Sequence, residues 1–416
     1  MPWQRTGPMD ERLSLIVSWQ EDGLSMSELC RRYGVSRKTG YKWIDRYEKA
    51  GVAGLCERSR APHHSPQQVT AVIAEAAVAA RRAHPSWGPR KLRAWLAARD
   101  PQAVWPAAST LGVLFDEAGL TVPRRRRERV PPRTVPFAGC DGPNAVWTAD
   151  FKGWFRTADG ARCEPFTLLD SWSRYLLRCQ AVRRADTATV QAILAAAFRE
   201  YGLPVALRSD NGSPFAGRGA GGLSRLSVWL IRLSVRPDRI DPGSPQQNGR
   251  HERMHLTLKE ETASPPAASL RAQARSFAVF RRCYNEERPH EALGQQPPAQ
   301  HYQPSARVYT GKLCSPEYAG VEMVRQVRSN GEIKWRGERV FLGEPLIGEP
   351  VGLQPIADGE WRVMYGPIEL GLLDAKGRLR QPRRRRRRAP CGVVDNASAL
   401  PTTPQGQQQP QADLIR

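Results

Sequence analysis

The sequence predicts a multidomain protein with all-α helix-turn-helix modules first, a central α/β core with a mixed sheet next, and a small C-terminal β barrel last. Its 416 residues exceed the roughly 250 residues at which one hydrophobic core stops growing. Basic, proline-rich linkers interrupt the chain at 57–66 and 123–142, and near Asn144 the apolar spacing changes from helical to alternating. The expected domains are 1–56 and 67–122 (both helical), 143–302 (the α/β core) and 308–380 (the barrel), followed by a tail at 381–416.

The composition restricts the classes of partner. Lys and Arg number 63 against 41 Asp and Glu, a net charge of +22. This surplus favours a polyanion such as double-stranded DNA, because each neutralised phosphate releases counterions; a membrane surface or a ribosome would also suit the charge. The sequence has no run of about 20 apolar residues, so no membrane span is predicted. The first residues lack the apolar stretch of a secretory signal. The eight cysteines form no CxxC pair, so a reducing cytoplasm fits better than a disulfide scaffold or a zinc site.

The first segment has the pattern of a helix-turn-helix. Ser25, with Glu28 three residues later, predicts the start of a second helix through a capping box. After the turn at Gly34, Ser36 is expected to cap a third helix, and residues that read base edges usually lie in the N-terminal half of such a helix. The alternative is a basic, solvated helix in a small bundle, and we favour DNA binding. The candidate DNA contacts are Arg37, Lys38, Tyr41 and Lys42.

The second segment is also helical. An Ala-rich helix at 69–82 precedes a helix that opens with Trp87-Gly88-Pro89 and a third at 106–118. Arg90 and Lys91 lie at the start of the middle helix and are candidate DNA contacts. A second DNA-binding module and a spacer bundle both fit this pattern.

The central segment changes to strands. Residues 145–151 alternate between apolar and polar, and short strands are expected at 166–169 and 175–177. An amphipathic helix begins at Asp186 and ends at Gly202, and another strand follows at 205–207. Three antiparallel strands, a helix and a parallel strand are the beginning of an RNase H-like sheet.

Three acidic residues can converge on this sheet. Asp150 lies in the first strand, Asp210 follows the fourth, and Glu252 lies in a helix expected to begin near Pro245. Mg²⁺ and Mn²⁺ prefer carboxylate oxygens, and two such ions about 4 Å apart activate an attacking oxygen and stabilise the leaving oxygen of a phosphodiester. We expect Asp150 to bridge two ions, with Asp210 and Glu252 each completing the shell of one. The alternative acid, Asp170, is expected to be a turn residue.

One side of the Glu252 helix suits a DNA backbone. Its residues are Asn248, Glu252, His255 and Lys259. Met254 and Leu258 are expected to pack elsewhere. The alternative is a solvated polar face with ordinary ion pairs, and His255 is either a hydrogen-bond partner of the metal ligands or a residue without a role.

Four segments together resemble a known family. They are WTADFKG at 147–153, RSDNGSPF at 208–215, PGSPQQNGRHE at 242–252 and YNEERPHEALG at 284–294. These motifs, with the helix-turn-helix start, resemble bacterial insertion-sequence transposases with a retroviral-integrase-type DDE core, over roughly residues 10–302. The resemblance implies metal-dependent cleavage at transposon ends, then attack of the freed 3′-hydroxyl on target DNA. It also implies a homo-oligomer on DNA in the bacterial cytoplasm, associated with the nucleoid.

The chain departs from retroviral-type members in two ways. The interval from Asp210 to Glu252 is longer than usual, and we expect the Gly-rich stretch 217–222 and a helix at 223–233 to form a surface insertion. In retroviral members a zinc module precedes the core, whereas helix-turn-helix segments precede the core in this chain.

The C-terminal part is expected to be a small barrel and a disordered tail. Short alternating strands recur between 321 and 365, at a position similar to that of the DNA-binding barrel of integrases; a plain stability module is the alternative. The tail contains six consecutive arginines at 383–388 and a Gln/Pro-rich end, a composition that cannot bury a core.

Two other functions compete with transposition. A structure-specific nuclease can use the same core without strand transfer, and a DNA-binding regulator can retain a decayed core. The two helix-turn-helix segments and the 284–294 motif favour the transposase over the nuclease. The presence of all three acids argues against the regulator.

Overall fold

The computed structural model describes residues 7–21, 23–58, 68–121, 139–217, 219–240, 249–318, 320–356 and 359–380. Most of the predicted linkers, the tail 381–416 and Asn248 lie outside these ranges. The chain forms two compact units, Met1–Thr70 and Ala71–Arg416. Among the helices described, none combines the length and apolar character needed to cross a lipid bilayer.

The helices and strands are numbered separately in chain order. The helices are α1 (Pro8–Glu21), α2 (Met26–Arg32), α3 (Arg37–Ala50), α4 (Ala71–Ala83), α5 (Pro89–Arg99), α6 (Ala108–Glu117), α7 (Thr187–Tyr201), α8 (Arg225–Arg232), α9 (Gly249–Thr262) and α10 (Leu270–Arg282). The strands are β1 (Val146–Phe151), β2 (Phe155–Arg156), β3 (Arg162–Asp170), β4 (Leu176–Val182), β5 (Ala206–Ser209), β6 (Arg236–Arg239), β7 (Met323–Gln326), β8 (Glu332–Trp335), β9 (Glu338–Phe341), β10 (Pro350–Pro355), β11 (Trp361–Tyr365), β12 (Ile368–Leu373) and β13 (Leu379–Arg380).

The first unit is a three-helix module, and its helix-turn-helix is confirmed. The Ser25 side chain accepts from the backbone N–H of Glu28, whose side chain accepts from the backbone N–H of Ser25, so the capping box is complete. Gly34, at φ +63°, makes the turn that a residue with a Cβ would strain. Ser36 caps α3 by accepting from the backbone N–H of Thr39. The buried residues that hold the three helices together are Leu15, Ile16, Leu29, Trp43, Ile44 and Leu55.

The second unit begins with helices α4–α6. Their shared core consists of Ala77, Ala80, Trp87, Leu92, Leu96, Leu111 and Phe115. Glu261 of α9 accepts a hydrogen bond from Ser86 Oγ at 2.5 Å, and Glu287 accepts one from Arg99 at 3.3 Å. This helical module is therefore joined to the α/β core by side-chain contacts.

A mixed sheet forms the centre of the second unit, which confirms the RNase H-like arrangement. The strand order is β2-β3-β1-β5-β6, with β4 paired to β3. Strands β1, β3 and β4 are antiparallel, whereas β5 runs parallel to β1 and β6 parallel to β5. Successive side chains of β1 point to opposite faces of the sheet. Trp147 and Ala149 join the core beneath α7 and α8, while Thr148 contacts α9 on the other face.

Helix α8 corrects one expectation, because it is not a surface insertion. Leu226, Trp229 and Leu230 belong to the core beneath the sheet. Val228 and Ile231 belong to the core of the C-terminal domain. The helix is thus buried on two sides, since its apolar residues are spaced to meet both cores.

The C-terminal domain is an antiparallel sheet region, as expected. Strands β13-β12-β11-β10-β7 form one sheet, and β8-β9 form a hairpin. Both contribute to one core, in which Trp335, Val351 and Tyr365 are buried. The domain contacts α8 through Glu349, which accepts from Arg232 at 3.1 Å and from Tyr365 at 2.8 Å. Closure of these strands into a barrel stays a prediction.

Candidate active site

Asp150 and Asp210 lie side by side because β1 and β5 are adjacent and parallel. Thr148 pairs with Arg208, so two residues further along each strand bring Asp150 next to Asp210. The backbone N–H of Gly212 donates to Asp210 Oδ1 at 3.1 Å. A Cβ at Gly212 would lie 2.9 Å from Asp210 Oδ2, so the tight turn after β5 needs glycine to hold this carboxylate.

Glu252 approaches the same place from α9. Met254 and Leu258 are buried against the sheet, which fixes the helix across it, and Glu252 lies exposed in the first turn. Burial, together with the charges of Asp210 and Glu252, raises the pKa of Asp150 to about 7, against the opposing influence of the Phe151 backbone and of Lys152. The charges of Asp210 and Glu252 therefore reach Asp150, since Coulomb interactions weaken with distance.

Two histidines of α9 lie directly beneath Asp150. His251 and His255 are 0% and 3% exposed, and burial lowers their pKa to about 3 and about 2, so both imidazoles are neutral. Thr167 Oγ1 of β3 lies 2.6 Å from His251 Nε2 and 2.7 Å from His255 Nε2. His255 Nδ1 lies 3.9 Å from Asp150 Oδ2.

The expected polar face of α9 is therefore wrong at His255, while Asn248 lies outside the described residues. Glu252 and Lys259 are exposed, but His255 is buried with Met254. Sequence reasoning assigned His251 no role. A signal for His251 was present, because it lies three and seven positions before the apolar residues Met254 and Leu258, which is the i, i+3, i+7 spacing of one helix face.

The group fits a divalent metal ion. Ligand atoms of Asp150, His251 and His255 lie within 4.8 Å of one another. The negative charges of Asp210 and Glu252, which with burial raise the pKa of Asp150, also attract a divalent cation. Among the described residues, this group of possible ligands does not include Asp210 or Glu252.

Asp170 is the turn residue that the sequence predicted. Its Oδ1 accepts from the backbone N–H of Asn144 at 2.8 Å, and its Oδ2 accepts from the backbone N–H and hydroxyl of Ser173 at 2.8 and 2.5 Å. The buried carboxylate thus closes the turn after β3, and it is not a candidate ligand of the metal site.

The candidate DNA contacts have different environments. Lys259 lines a cleft together with Lys152 and the exposed Trp154. Arg90 is exposed and forms an ion pair of 3.6 Å with Glu291. Burial and the nearby Arg288 lower the pKa of Lys91 to about 8. On α3 the exposed candidates are Arg37, Lys38, Tyr41 and Lys42.

Family models match most of these regions. Two models described as an integrase core domain match 141–245 and 233–298. A helix-turn-helix domain matches 11–63 and a homeodomain-like domain matches 39–114. The C-terminal domain of IS481 family transposases matches 322–380. The chain contains an integrase core and a transposase C-terminal domain. The two integrase core matches together span Asp150, Asp210 and Glu252.

The most similar proteins include products of insertion elements. The uncharacterized 39.2 kDa protein of IS476 from Xanthomonas euvesicatoria is 27% identical over 282 residues, 67% of this chain and 78% of that protein. The uncharacterized 31.7 kDa protein of IS407 from Burkholderia multivorans is 29% identical over 241 residues, 58% of this chain and 82% of that protein. A simian T-cell lymphotropic virus intasome in complex with PP2A regulatory subunit B56 gamma has 14% identity and a TM-score of 0.35, covering 70% of this chain and 97% of that chain.

These comparisons support a transposase or integrase role. The integrase core and the insertion-element relatives agree on it, and the helix-turn-helix and homeodomain-like matches imply DNA binding.

Proposed function

We propose that this protein cuts DNA at the ends of an insertion element and joins the freed 3′-hydroxyl to target DNA. The supporting observation is the group of Asp150, Asp210 and Glu252 within an integrase core, where burial, together with the charges of the other two acids, raises the pKa of Asp150. Such a cluster needs a cation to be stable when ionised. It therefore suits phosphodiester chemistry assisted by divalent metal ions.

Each acid has a distinct part in this proposal. Asp150, which the charges of Asp210 and Glu252 both influence, would hold two Mg²⁺ or Mn²⁺ ions, and Asp210 and Glu252 would each help to hold one of them. When bound, the ions supply an activated attacking oxygen and stabilise the leaving oxygen. The backbone N–H of Gly212 holds Asp210 in place. Lys259 and Lys152, which line one cleft, are proposed to contact the phosphate backbone of DNA.

Recognition and assembly complete the proposal. The exposed basic residues of α3 contact the major groove of the element ends, because base-edge readers occupy this part of a helix-turn-helix. Arg90, Lys91 and Asn248 are further candidate contacts. Two ends must be brought together before joining, so we infer that the active form is a homo-oligomer on double-stranded DNA.

The reaction products test this function. The purified chain is incubated with a labelled element end, a supercoiled target plasmid and Mn²⁺, and labelled DNA covalently joined to the plasmid is measured on a denaturing gel. We expect end cleavage followed by joined product. Cleavage without joining would indicate a nuclease instead, and end binding without cleavage would indicate a DNA-binding regulator.

A further inference from the structure

This inference rests on the metal-dependent function proposed above. We propose that His255 coordinates, through its Nδ1 atom, the ion that Asp150 binds, so that the site favours Mn²⁺ over Mg²⁺. The carboxylate triad does not include this ligand. The proposal follows from the hydrogen bonds of Thr167. These bonds orient the His255 ring so that the lone pair of its Nδ1 atom faces Asp150.

Thr167 fixes both histidines of α9. Its hydroxyl donates to the backbone oxygen of Asp150 at 3.1 Å. The same oxygen lies 2.6 Å from His251 Nε2 and 2.7 Å from His255 Nε2. Since the single hydroxyl proton is directed to Asp150, His255 must donate its Nε2–H to the threonine oxygen.

This arrangement leaves the Nδ1 atom of the neutral His255 ring with a lone pair. His251 Nδ1 lies 3.0 Å from Thr148 Oγ1, so both nitrogens of His251 are occupied by threonines. His255 Nδ1 instead faces Asp150 Oδ2 at 3.9 Å. That separation is too long for a hydrogen bond, and both atoms are electron-rich.

The separation does suit a shared cation. Two metal–ligand bonds of about 2.1 Å each span up to about 4.2 Å, so one ion can contact both atoms. The His255 ring is 3% exposed and stacks edge-on against His251, with ring centroids 4.6 Å apart. It is therefore held in this orientation before any metal arrives, and His251 acts as a positioning residue.

The nitrogen donor predicts which ions the site prefers. Mg²⁺ takes oxygen ligands and keeps an octahedral water shell, whereas transition-metal ions accept imidazole, with Mn²⁺ the weakest binder of that series. A site with carboxylates alone would bind Mg²⁺ and Mn²⁺ with similar affinity. A site with one imidazole should hold Mn²⁺ more tightly.

Pulsed EPR on the full chain loaded with Mn²⁺ tests this directly. We expect nuclear modulation from a directly bound histidine nitrogen, which changes when histidine is labelled with ¹⁵N. His255→Gln should abolish that modulation and weaken Mn²⁺ binding about tenfold or more, while Mg²⁺ affinity, measured by competition, changes much less. His301→Gln, at a histidine away from the acids, is the control and should keep the signal.

Each outcome decides the proposal. A spectrum of bound Mn²⁺ with oxygen ligands only would overturn it and leave the carboxylate site intact. An unchanged signal in folded His255→Gln, or equal losses for both ions, would overturn it as well. No Mn²⁺ binding at all would refute the proposed metal-dependent function together with this inference. If the variant does not fold, the isotope dependence of the wild-type spectrum still decides.

Discussion

At the residue scale, Asp150 is placed where its negative charge is costly in the absence of metal. Burial and two neighbouring acids raise its pKa to about 7, against about 3.9 in an unfolded chain. The folded protein therefore holds this proton more tightly than the unfolded chain does. The stabilisation from the protonated form is fully present below about pH 4 and is lost as the pH rises through 7.

Asp150→Asn should reveal this cost, because asparagine does not titrate. In EDTA, the free energy of unfolding of the variant should exceed that of the wild type by an amount that grows between about pH 4 and 7, to roughly 2–4 kcal/mol. Urea denaturation at a series of pH values measures the difference. A gap that stays constant across that range would show that the acids do not interact as described. Added Mg²⁺ should remove the gap.

The residues also show where sequence reasoning stopped. The parallel arrangement of β1 and β5 was predictable, and with it the neighbourhood of Asp150 and Asp210. The position of His255 was not predictable. Glu252, His255 and Lys259 lie on the same side of an ideal helix, and only the packing of Met254 against the sheet determines how far that side is exposed. A helical pattern defines the order of residues around the axis but not the rotation of the helix in the fold.

At the element scale, α3 presents its basic residues to solvent, and its start is fixed by Ser36. Replacing Arg37, Lys38 and Lys42 together by alanine should weaken binding to the element end. It should also reduce the slope of log affinity against log salt by about 0.9 for each phosphate that the variant no longer neutralises. Fluorescence anisotropy at several salt concentrations measures both quantities.

A matched variant controls for charge alone. Arg31 and Arg32, on α2, are also exposed, and their replacement by alanine should change the affinity less. If the α3 variant retains the wild-type affinity and salt slope, α3 is not the DNA-contacting helix.

Helix α8 allows a second prediction at this scale. Leu230 is 2% exposed, so Leu230→Ala should destabilise the chain by about 2–5 kcal/mol through the cavity it leaves. Arg225→Ala, at an exposed position of the same helix, should change stability by no more than about 0.5 kcal/mol. Denaturant titration followed by tryptophan fluorescence compares them, and equal midpoints would restore the surface-insertion interpretation.

The sequence concealed this role of α8 for a physical reason. The glycines at 219, 221 and 222 have the composition of a loop, yet Gly221 lies where a Cβ would come within 2.9 Å of Leu370. Close approach to the C-terminal sheet, not loop flexibility, explains this glycine. That approach joins residues far apart in sequence, and local patterns contain no information about it.

At the scale of the whole molecule, basic charge is spread beyond the described domains. Six consecutive arginines occupy 383–388, and a run of like charge contacts phosphates without reading base edges. Truncation after Gln381 should weaken binding to element ends and to random duplexes by similar factors, most strongly at low salt. Affinities measured on both duplexes test this. A selective loss for the element end would assign the tail a role in recognition.

The proposed catalytic role of Asp150, Asp210 and Glu252 is tested most directly by one measurement. Single-turnover cleavage and joining of a labelled element end is compared for the wild type, Asp150→Asn, Glu252→Gln and Glu260→Gln, the last an exposed acid of the same helix. We predict that Asp150→Asn and Glu252→Gln bind the end normally but form no cleaved or joined product, while Glu260→Gln reacts like the wild type. Joined product from folded Asp150→Asn at the wild-type rate would contradict the account.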